Sequence, residues 1–373
     1  MSKLRIVIDG RMFHESGIGR YIRNLIAQLQ ILDKGNEYFI LHLKKDYDSL
    51  VYLNNFHKVL ADFRWYGVKE QTKLPRLLHD LKPNLVHFPH FNVPVFYRGD
   101  FVVTIHDLIH QHFQMRRTTM LNPLFYRIKQ LGYQKIFRNA VKKSKKILVP
   151  SNYVKELLIS EWKVNADKVE VTYEAVDDKI LTIVNIMNHK DDVVLKKFKI
   201  NTPYMFYVGN AHPHKNVEGL IKVFLTIKKN HPDLELVVAG HDHYFWQRIK
   251  KEFQHKDIVY TGYVSDKELV GLYKNARCFI MPSFEEGFGI PLLEAFACSC
   301  PVVSSNAGSL PEVGGDACLY FDPKDSSDMV EKISRVLDDE NLRQQLTEKG
   351  LKRVKLFSWQ ELAKKTLEVY LYL

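Results

Sequence analysis

Residues 285–313 read EEGFGIPLLEAFACSCPVVSSNAGSLPEV. Two adjacent acids, Glu285 and Glu286, run into a Gly287-Phe288-Gly289 loop, and Ile290 and Pro291 open an apolar segment that carries one further acid, Glu294. "CFIMPS" upstream and "PVVSS" downstream are short apolar runs of the kind that form buried strands. Strand, glycine loop, helix and strand in that order spell a parallel βαβ unit. Pro291 suits the first helical position, which predicts Glu294 in the first turn, facing the strand ends. A carboxylate offers several acceptor sites and suits a pair of vicinal hydroxyls, as on a ribose. Glu286 is placed to accept from a second sugar, with the amides of Phe288 and Gly289 donating to it. Taken singly, Glu294 reads as an acid complementing a helix dipole and Glu286 as a loop charge. The pair with its glycines points to a hydroxyl-rich ligand.

The same alternation extends in both directions. Upstream, "PYMFYVGN", "LELVVAG" and "DIVYTGY" read as strands, and "NVEGLIKVFLTIKKN" and "SDKELVGLYKNA" as helices. In the first half "LRIVIDG", "EYFILHL", "LVHFPH", "DFVVTIHD" and "KKILVPS" read as strands, with "GRYIRNLIAQLQIL" and the regions near 122–142 and 152–160 helical. Apolar runs separated by amphipathic helices predict parallel sheets covered on both faces. The weakly patterned, charged segment 174–202 marks a boundary between two such units. The expected architecture is α/β: two doubly wound domains facing each other over a cleft, with ligands beyond the carboxyl ends of the strands.

A chain of 373 residues, 46% apolar, has length for about two domains. Met1 leads straight into "LRIVIDGR" without a leader pattern, and no apolar run approaches the roughly 18–20 residues of a membrane span. The four cysteines, Cys278, Cys298, Cys300 and Cys318, lack a metal-ligand spacing and read as packing thiols of a reducing cytosol. The net charge of +11 lies entirely in residues 1–180, the remainder being balanced. Residues 114–146 hold ten Lys and Arg and no acid. A one-sided basic face implies an anionic partner: a membrane surface, a phosphorylated acceptor or a nucleic acid.

Two further glycine turns invite phosphate. "DGRMFHESGIGRY" sets Gly17 and Gly19 between the first strand and first helix, where helix N–H groups can meet an anion. A tight strand–helix turn explains those glycines equally well, since the full dinucleotide and P-loop patterns are absent. "YVGNAHPHKNVEGLI" puts Gly209 at a strand end and Lys215 at an expected helix start. A lysine there opposes the helix dipole unless an anion lies between them.

With these residues in view, "EEGFGIPLLEA" resembles the Glu-x7-Glu motif of the retaining glycosyltransferases of family 4, Glu286 and Glu294 falling on its two glutamates. The likeness runs through "GIGRYIRNL", "TIHD", "LVPSNYVKELL", "FYVGNAHPHKN", "VYTGYVSDKELVGLYKNA", "PVVSSNAGSLPEVGGDACLYFDP" and "FSWQELAKKTLEVY", nearly the whole chain. It implies the GT-B fold, with an acceptor-side domain over 1–180, a donor domain over 181–355, and a C-terminal helix over 356–373 returning to the first domain. Glu294 is then expected on the ribose of a nucleotide-sugar donor, GDP- or UDP-linked. Glu286 is expected on the transferred sugar, and Lys215 on the diphosphate. Gly17, Gly19, Gly209, Tyr263, Val264, Gly287, Phe288, Gly289 and Ile290 would line the donor, and His106 of "TIHD" would contact its sugar near the reaction centre. His214 stands where many members carry an arginine, so the phosphate grip would be weaker, or shared with Arg20 or another group.

The resemblance also implies retention at the anomeric carbon, with attack assisted by the leaving phosphate and no enzymic nucleophile. No metal or other cofactor is expected: the only Asp-x-Asp, Asp46-Tyr47-Asp48, reads as a surface loop. The implied acceptor is a glycan or lipid-linked glycan of a cell-surface polysaccharide or lipopolysaccharide. With residues 114–146 on an anionic membrane, the enzyme would be cytoplasmic and peripheral on the inner face. Two competing readings are an epimerase or sugar synthase on the same fold, and a nucleic-acid-binding protein stacking bases on Phe125, Tyr126, Tyr133 and Phe137. Those aromatics recur at helical spacing, which favours packing or bilayer contact over nucleic acid.

Overall fold

The computed structural model describes residues 3–112, 123–187, 192–201, 203–241 and 244–373. The chain forms two compact units, Met1–Glu174 with Trp359–Leu373, and Ala175–Ser358.

The first unit holds seven strands: β1 (Arg5–Ile8), β2 (Glu37–His42), β3 (Phe56–Leu60), β4 (Leu85–Phe88), β5 (Phe101–Thr104), β6 (Lys146–Val149) and β7 (Val169–Val171). Their order is β3-β2-β1-β4-β5-β6-β7, all pairs parallel, with Val7 opposite both Phe39 and Val86. The inner strands read as apolar runs because helices cover both faces. The edge strands β3 (FHKVL) and β7 (VEV) carry charge and are partly exposed, so the apolar pattern misses them. Val7, Val86, Val103 and Ile147 share a core with Leu74 and Leu78 of the helix Val68–Leu81 and with Phe137, Val154 and Leu158. Each such side chain contributes about 1.5–3 kcal/mol.

The C-terminal helix Trp359–Tyr372 completes this unit. Its Trp359 ring lies edge-on to Tyr21, and the Tyr370 hydroxyl is 2.5 Å from His87 Nδ1. His87 Nε2 meets the Thr104 hydroxyl at 2.8 Å, and burial pushes the imidazole down to about 3, so the ring is neutral. A buried polar group needs such partners.

The second unit holds β8 (Tyr204–Val208), β9 (Glu235–Ala239), β10 (Ile258–Gly262), β11 (Cys278–Met281), β12 (Val302–Ser305) and β13 (Cys318–Phe321), ordered β10-β9-β8-β11-β12-β13 and again parallel throughout. Met205, Leu236, Ile280 and Val303 of the sheet pack with Leu220, Phe224, Trp246 and Ile333 of its helices. The charged segment expected to mark the boundary forms the helices Asp178–Ile186 and Asp192–Phe198 of this unit. Lys274 Nζ donates to the Val184 carbonyl at 2.9 Å, and Gly271 leaves room for Val194. The unit boundary thus falls at 174/175 rather than 180, and the second boundary at 358/359 rather than 355/356.

In each sheet the strand order reverses once, between β1 and β4 and between β8 and β11. There the loops at the carboxyl ends part in opposite directions and leave a crevice, the usual ligand position in open α/β sheets. Among the described residues no helix is long and apolar enough to cross a membrane.

Candidate functional site

The loops that follow β8 and β11 meet at the switch point of the second sheet. Pro213–Lys215 forms a single 3-10 turn, Asn216 takes a left-handed conformation (φ 53°), and the helix begins only at Val217. Lys215 therefore projects from the turn before the helix, not from the helix start. Its Nζ lies 2.7 and 2.8 Å from the two carboxylate oxygens of Glu286, and the Ser283 hydroxyl donates to Glu286 Oε1 at 2.6 Å. The side chains are 18% and 8% exposed. Backbone joins the loops as well, Phe284 N–H donating to the His214 carbonyl at 2.7 Å. His214 is buried and its ring stacks on His212.

The glutamate loop is held from below by residues 305–309. Ser305 donates to the Ser283 carbonyl (2.6 Å), and Ser309 Oγ lies within 3.0 Å of the carbonyls of both Glu286 and Phe288. Gly308 has φ +63°, and a Cβ there would sit 2.7 Å from Glu286 N and 2.8 Å from Glu286 O. Only glycine fits that approach. Gly289, at φ +103°, caps the helix Ile290–Ala297. The sequence reading missed Ser283, Ser305, Gly308 and Ser309, although three of them stand in "SSNAGS".

Because that helix starts at Ile290, Pro291 is its second residue and Glu294 its fifth, so Glu294 lies in the second turn, not the first. There it is buried, with Oε2 accepting from the Tyr273 hydroxyl at 3.2 Å. Burial, and then the charge of Glu294, pushes the Tyr273 phenol well above its ordinary range, so Tyr273 is a fixed donor. Gly287 and Phe288 are buried, Phe288 packing edge-on against Phe357, and Ile290 is half-buried. Gly209 directly follows β8. Tyr263 and Val264 follow β10, two strands from the switch point, where Tyr263 is exposed beside the His241 ring.

In the first unit His106 follows β5. Its Nδ1 is 3.0 Å from Glu174 Oε1 and its Nε2 2.9 Å from the Pro89 carbonyl, two acceptors that call for a donor on each nitrogen. Burial works against the charge, but the hydrogen bond and charge of Glu174 outweigh it and raise the imidazole above its usual range. Each ring nitrogen of His106 thus faces an acceptor, an arrangement that favours the protonated ring. A Cβ on Gly19 would strike the Phe13 carbonyl at 2.5 Å, whereas one on Gly17 would meet nothing within 4 Å. Packing thus explains Gly19 and not Gly17.

Sequence reasoning overlooked the charge cluster beside β1 and β4. Arg11 grips Asp9 with Nε and Nη2 (2.8 and 2.7 Å), Glu70 with Nη2 (2.7 Å) and the Phe63 carbonyl with Nη1 (3.2 Å). Arg11 is 2% and Glu70 0% exposed. Burial lifts the Glu70 carboxyl above its usual range against the pull of Arg11.

The Asp46-Tyr47-Asp48 stretch is not a surface loop: Asp46 is buried in the short helix Lys44–Tyr47, with His14 at 3.4 Å. Among the described residues no group of three or more His, Cys, Asp or Glu side chains could hold a metal ion. The cysteines are buried, and burial pushes Cys278, Cys298 and Cys318 up to about 12. Of the basic stretch 114–146, residues 114–122 and the side chains of 123–130, Phe125 and Tyr126 among them, lie outside the described residues. Phe137 is fully buried and Tyr133 packs on Phe91, so neither offers a face for stacking bases.

With two such sheets and a lysine–glutamate pair at a glycine loop, the chain has the form of a nucleotide-sugar-type transferase fold, and comparison with known proteins places it. The sequence model of Glycosyl transferases group 1 matches residues 192–353, and that of Glycosyltransferase Family 4 matches residues 16–179. The chain belongs to the family-4 type of GT-B glycosyltransferases. O-antigen chain mannosyltransferase B of Escherichia coli is 29% identical over 379 residues, spanning 95% of this chain and 96% of that one. O-antigen chain mannosyltransferase RfbU of Salmonella typhimurium is 28% identical over 73% of this chain and 70% of its own. Among solved structures, HepE of Anabaena in complex with UDP-glucose has the same fold (TM-score 0.74, 13% identity, 99% of this chain and 100% of that chain).

Proposed function

We propose that this glycosyltransferase moves a mannosyl residue from a nucleotide-diphosphate donor to a lipid-linked surface glycan, with retention and without a metal. The observation that carries the reading is the buried Lys215–Glu286 pair at the carboxyl ends of β8 and β11. Mannose and the O-antigen type of acceptor rest on the names of the relatives spanning 95% and 73% of the chain.

Transfer breaks the bond between the anomeric carbon and the diphosphate oxygen and forms one to an acceptor hydroxyl. Negative charge grows on the departing diphosphate, and a fixed cation in a water-poor site stabilises it. Lys215 is that cation. In the free enzyme Glu286 neutralises it; as the diphosphate takes the ammonium, the Glu286 carboxylate is released toward the hydroxyls of the electron-poor sugar ring. Ser283 holds Glu286 in place during the exchange. Glu294, with one oxygen fixed by Tyr273, accepts from the ribose hydroxyls. The acceptor proton passes to the leaving phosphate oxygen on the same face, which gives retention. His106 is not the group that takes that proton, because both its ring nitrogens are engaged with Glu174 and the Pro89 carbonyl.

The basic half attaches the enzyme to the inner membrane surface. Of its described cations, Lys143 and Lys146 donate to the Val95 and Asp167 carbonyls, while Arg138 and Lys142 are exposed and open to contact. Each contributes about 1 kcal/mol near anionic lipid. The test is a panel of nucleotide sugars, GDP-mannose and UDP-glucose included, with octyl α-mannopyranoside as acceptor in EDTA, and sedimentation with anionic and neutral vesicles. Transfer from GDP-mannose in EDTA and selective binding to anionic vesicles are expected. Activity that vanishes in EDTA and returns with magnesium contradicts the metal-free mechanism, and equal binding to neutral vesicles contradicts the electrostatic attachment.

A further inference from the structure

The switch point of the first sheet has its own recess, where Asp9, Arg11, Glu70 and Asn92 stand beside apolar side chains. Asp9 leaves the end of β1, and Asn92 lies in the loop that follows β4. Asn92 Nδ2 donates to Glu70 Oε2 at 2.6 Å. Both oxygens of that carboxylate already accept, Oε1 from Arg11 and Oε2 from the Tyr66 N–H at 2.8 Å, so the amide of Asn92 must present its NH2 to it. Its orientation is therefore fixed, and Oδ1 points the other way. Asn92 is 4% exposed, and Oδ1 has no hydrogen-bond partner among the described residues. A buried acceptor left unmade costs stability, so a donor is missing from the picture.

The missing donor has a place to sit. Asn92, Asp9, Ile18, Ile22, Pro89 and His90 line a cavity of about 10 Å³, roughly room for one hydroxyl group. The Asp9 carboxylate, bonded to Arg11 through both oxygens, keeps lone pairs to spare. Ile18 is half-buried at the recess and Ile22 fully buried, so acceptors stand beside an apolar wall. A sugar ring, with O–H groups beside C–H faces, matches that combination. Pro89 is also the residue whose carbonyl fixes His106 Nε2, so the recess adjoins the histidine expected at the reaction centre.

We propose that Asn92 Oδ1, oriented by the Glu70–Arg11–Asp9 cluster, accepts a hydrogen bond from one hydroxyl of the acceptor sugar and so selects which acceptor is glycosylated. The inference rests on the transferase reading above. Asn92 is the contacting residue; Glu70 and Arg11 act through it as positioning residues.

The experiment uses the full chain, octyl α-mannopyranoside and each of its monodeoxy analogues. In the wild type, one deoxy analogue should lose about fivefold or more in kcat/KM, the scale of one neutral hydrogen bond. In Asn92→Ala the parent acceptor should lose a similar factor, and that analogue should lose nothing further. A merely structural role for Asn92 would lower all acceptors alike and leave the discrimination intact, which overturns the proposal. If Asn92→Ala does not fold, Ile18→Phe narrows the recess from its half-exposed rim and should erase the same discrimination; retained discrimination counts against the site. A wild type that glycosylates no acceptor from any nucleotide sugar fails the transferase reading. A working wild type with unchanged discrimination in both variants fails only this inference.

Discussion

At the switch point of the first sheet a guanidinium is clamped by two carboxylates and a carbonyl, and arginine and glutamate are 2% and 0% exposed. At the switch point of the second an ammonium faces one carboxylate, and the two side chains are 18% and 8% exposed. Arginine presents a planar fork whose donors are all placed at once, whereas lysine is a point charge on a flexible stem. The first cluster has nothing to gain by letting go. The second can exchange its partner for another anion at little geometric cost. Position in the fold is the same in both units; the choice of cation separates a locked cluster from a pair that can exchange.

That contrast can be broken most easily at Arg11. Arg11→Met should cost about 3–5 kcal/mol of stability, because it strands two carboxylates in a buried site. Urea unfolding measures it, and an undiminished midpoint with lost activity would make Arg11 a working group instead. Lys215→Ala should act chiefly on rate, lowering kcat by roughly 10²–10³-fold, with a smaller effect on donor KM. Steady-state kinetics on the purified variant separate the two.

Glu294→Ala should weaken donor binding by about 1.5–3 kcal/mol. Stability should fall by less, since the Tyr273 hydroxyl keeps the Pro291 carbonyl at 3.3 Å as an acceptor. A variant that binds donor normally and melts early would make this glutamate structural. The smallest effect concerns pH. The His106 imidazole is raised above its ordinary value of about 6.5. Its contribution is therefore complete below that pH and fades as pH rises through the folded-state value. Melting temperatures of the wild type should fall from about pH 6.5 upward more steeply than those of Glu174→Gln. Parallel curves would contradict the Glu174–His106 pairing.

The readable parts of this molecule are those where one short window contains the whole argument. The glycine loop and the inner strands are local patterns, and they stand where the sequence puts them. What escaped is either marginal or distant. The edge strands β3 and β7 carry charges because one side meets solvent. Glu294 moved one residue along its helix, out of the first turn, because the left-handed Gly289 starts the helix before the proline rather than at it. The Arg11–Glu70–Asn92 cluster joins residues up to 81 positions apart, each of which alone reads as an ordinary polar side chain. Arg11 gave one signal, a charge only three residues beyond a buried strand.

The claim that Lys215 changes partner is tested most directly by titrating GDP and UDP, without sugar, into the wild type and Glu286→Gln and reading affinity by calorimetry. Glutamine keeps the contact with Ser283 but no longer competes for the ammonium. The account predicts that the nucleoside diphosphate that binds the wild type binds Glu286→Gln severalfold more tightly, while sugar transfer by the same variant slows. Equal or weaker binding to the variant would contradict it, because Glu286 would then help to hold the diphosphate rather than compete with it.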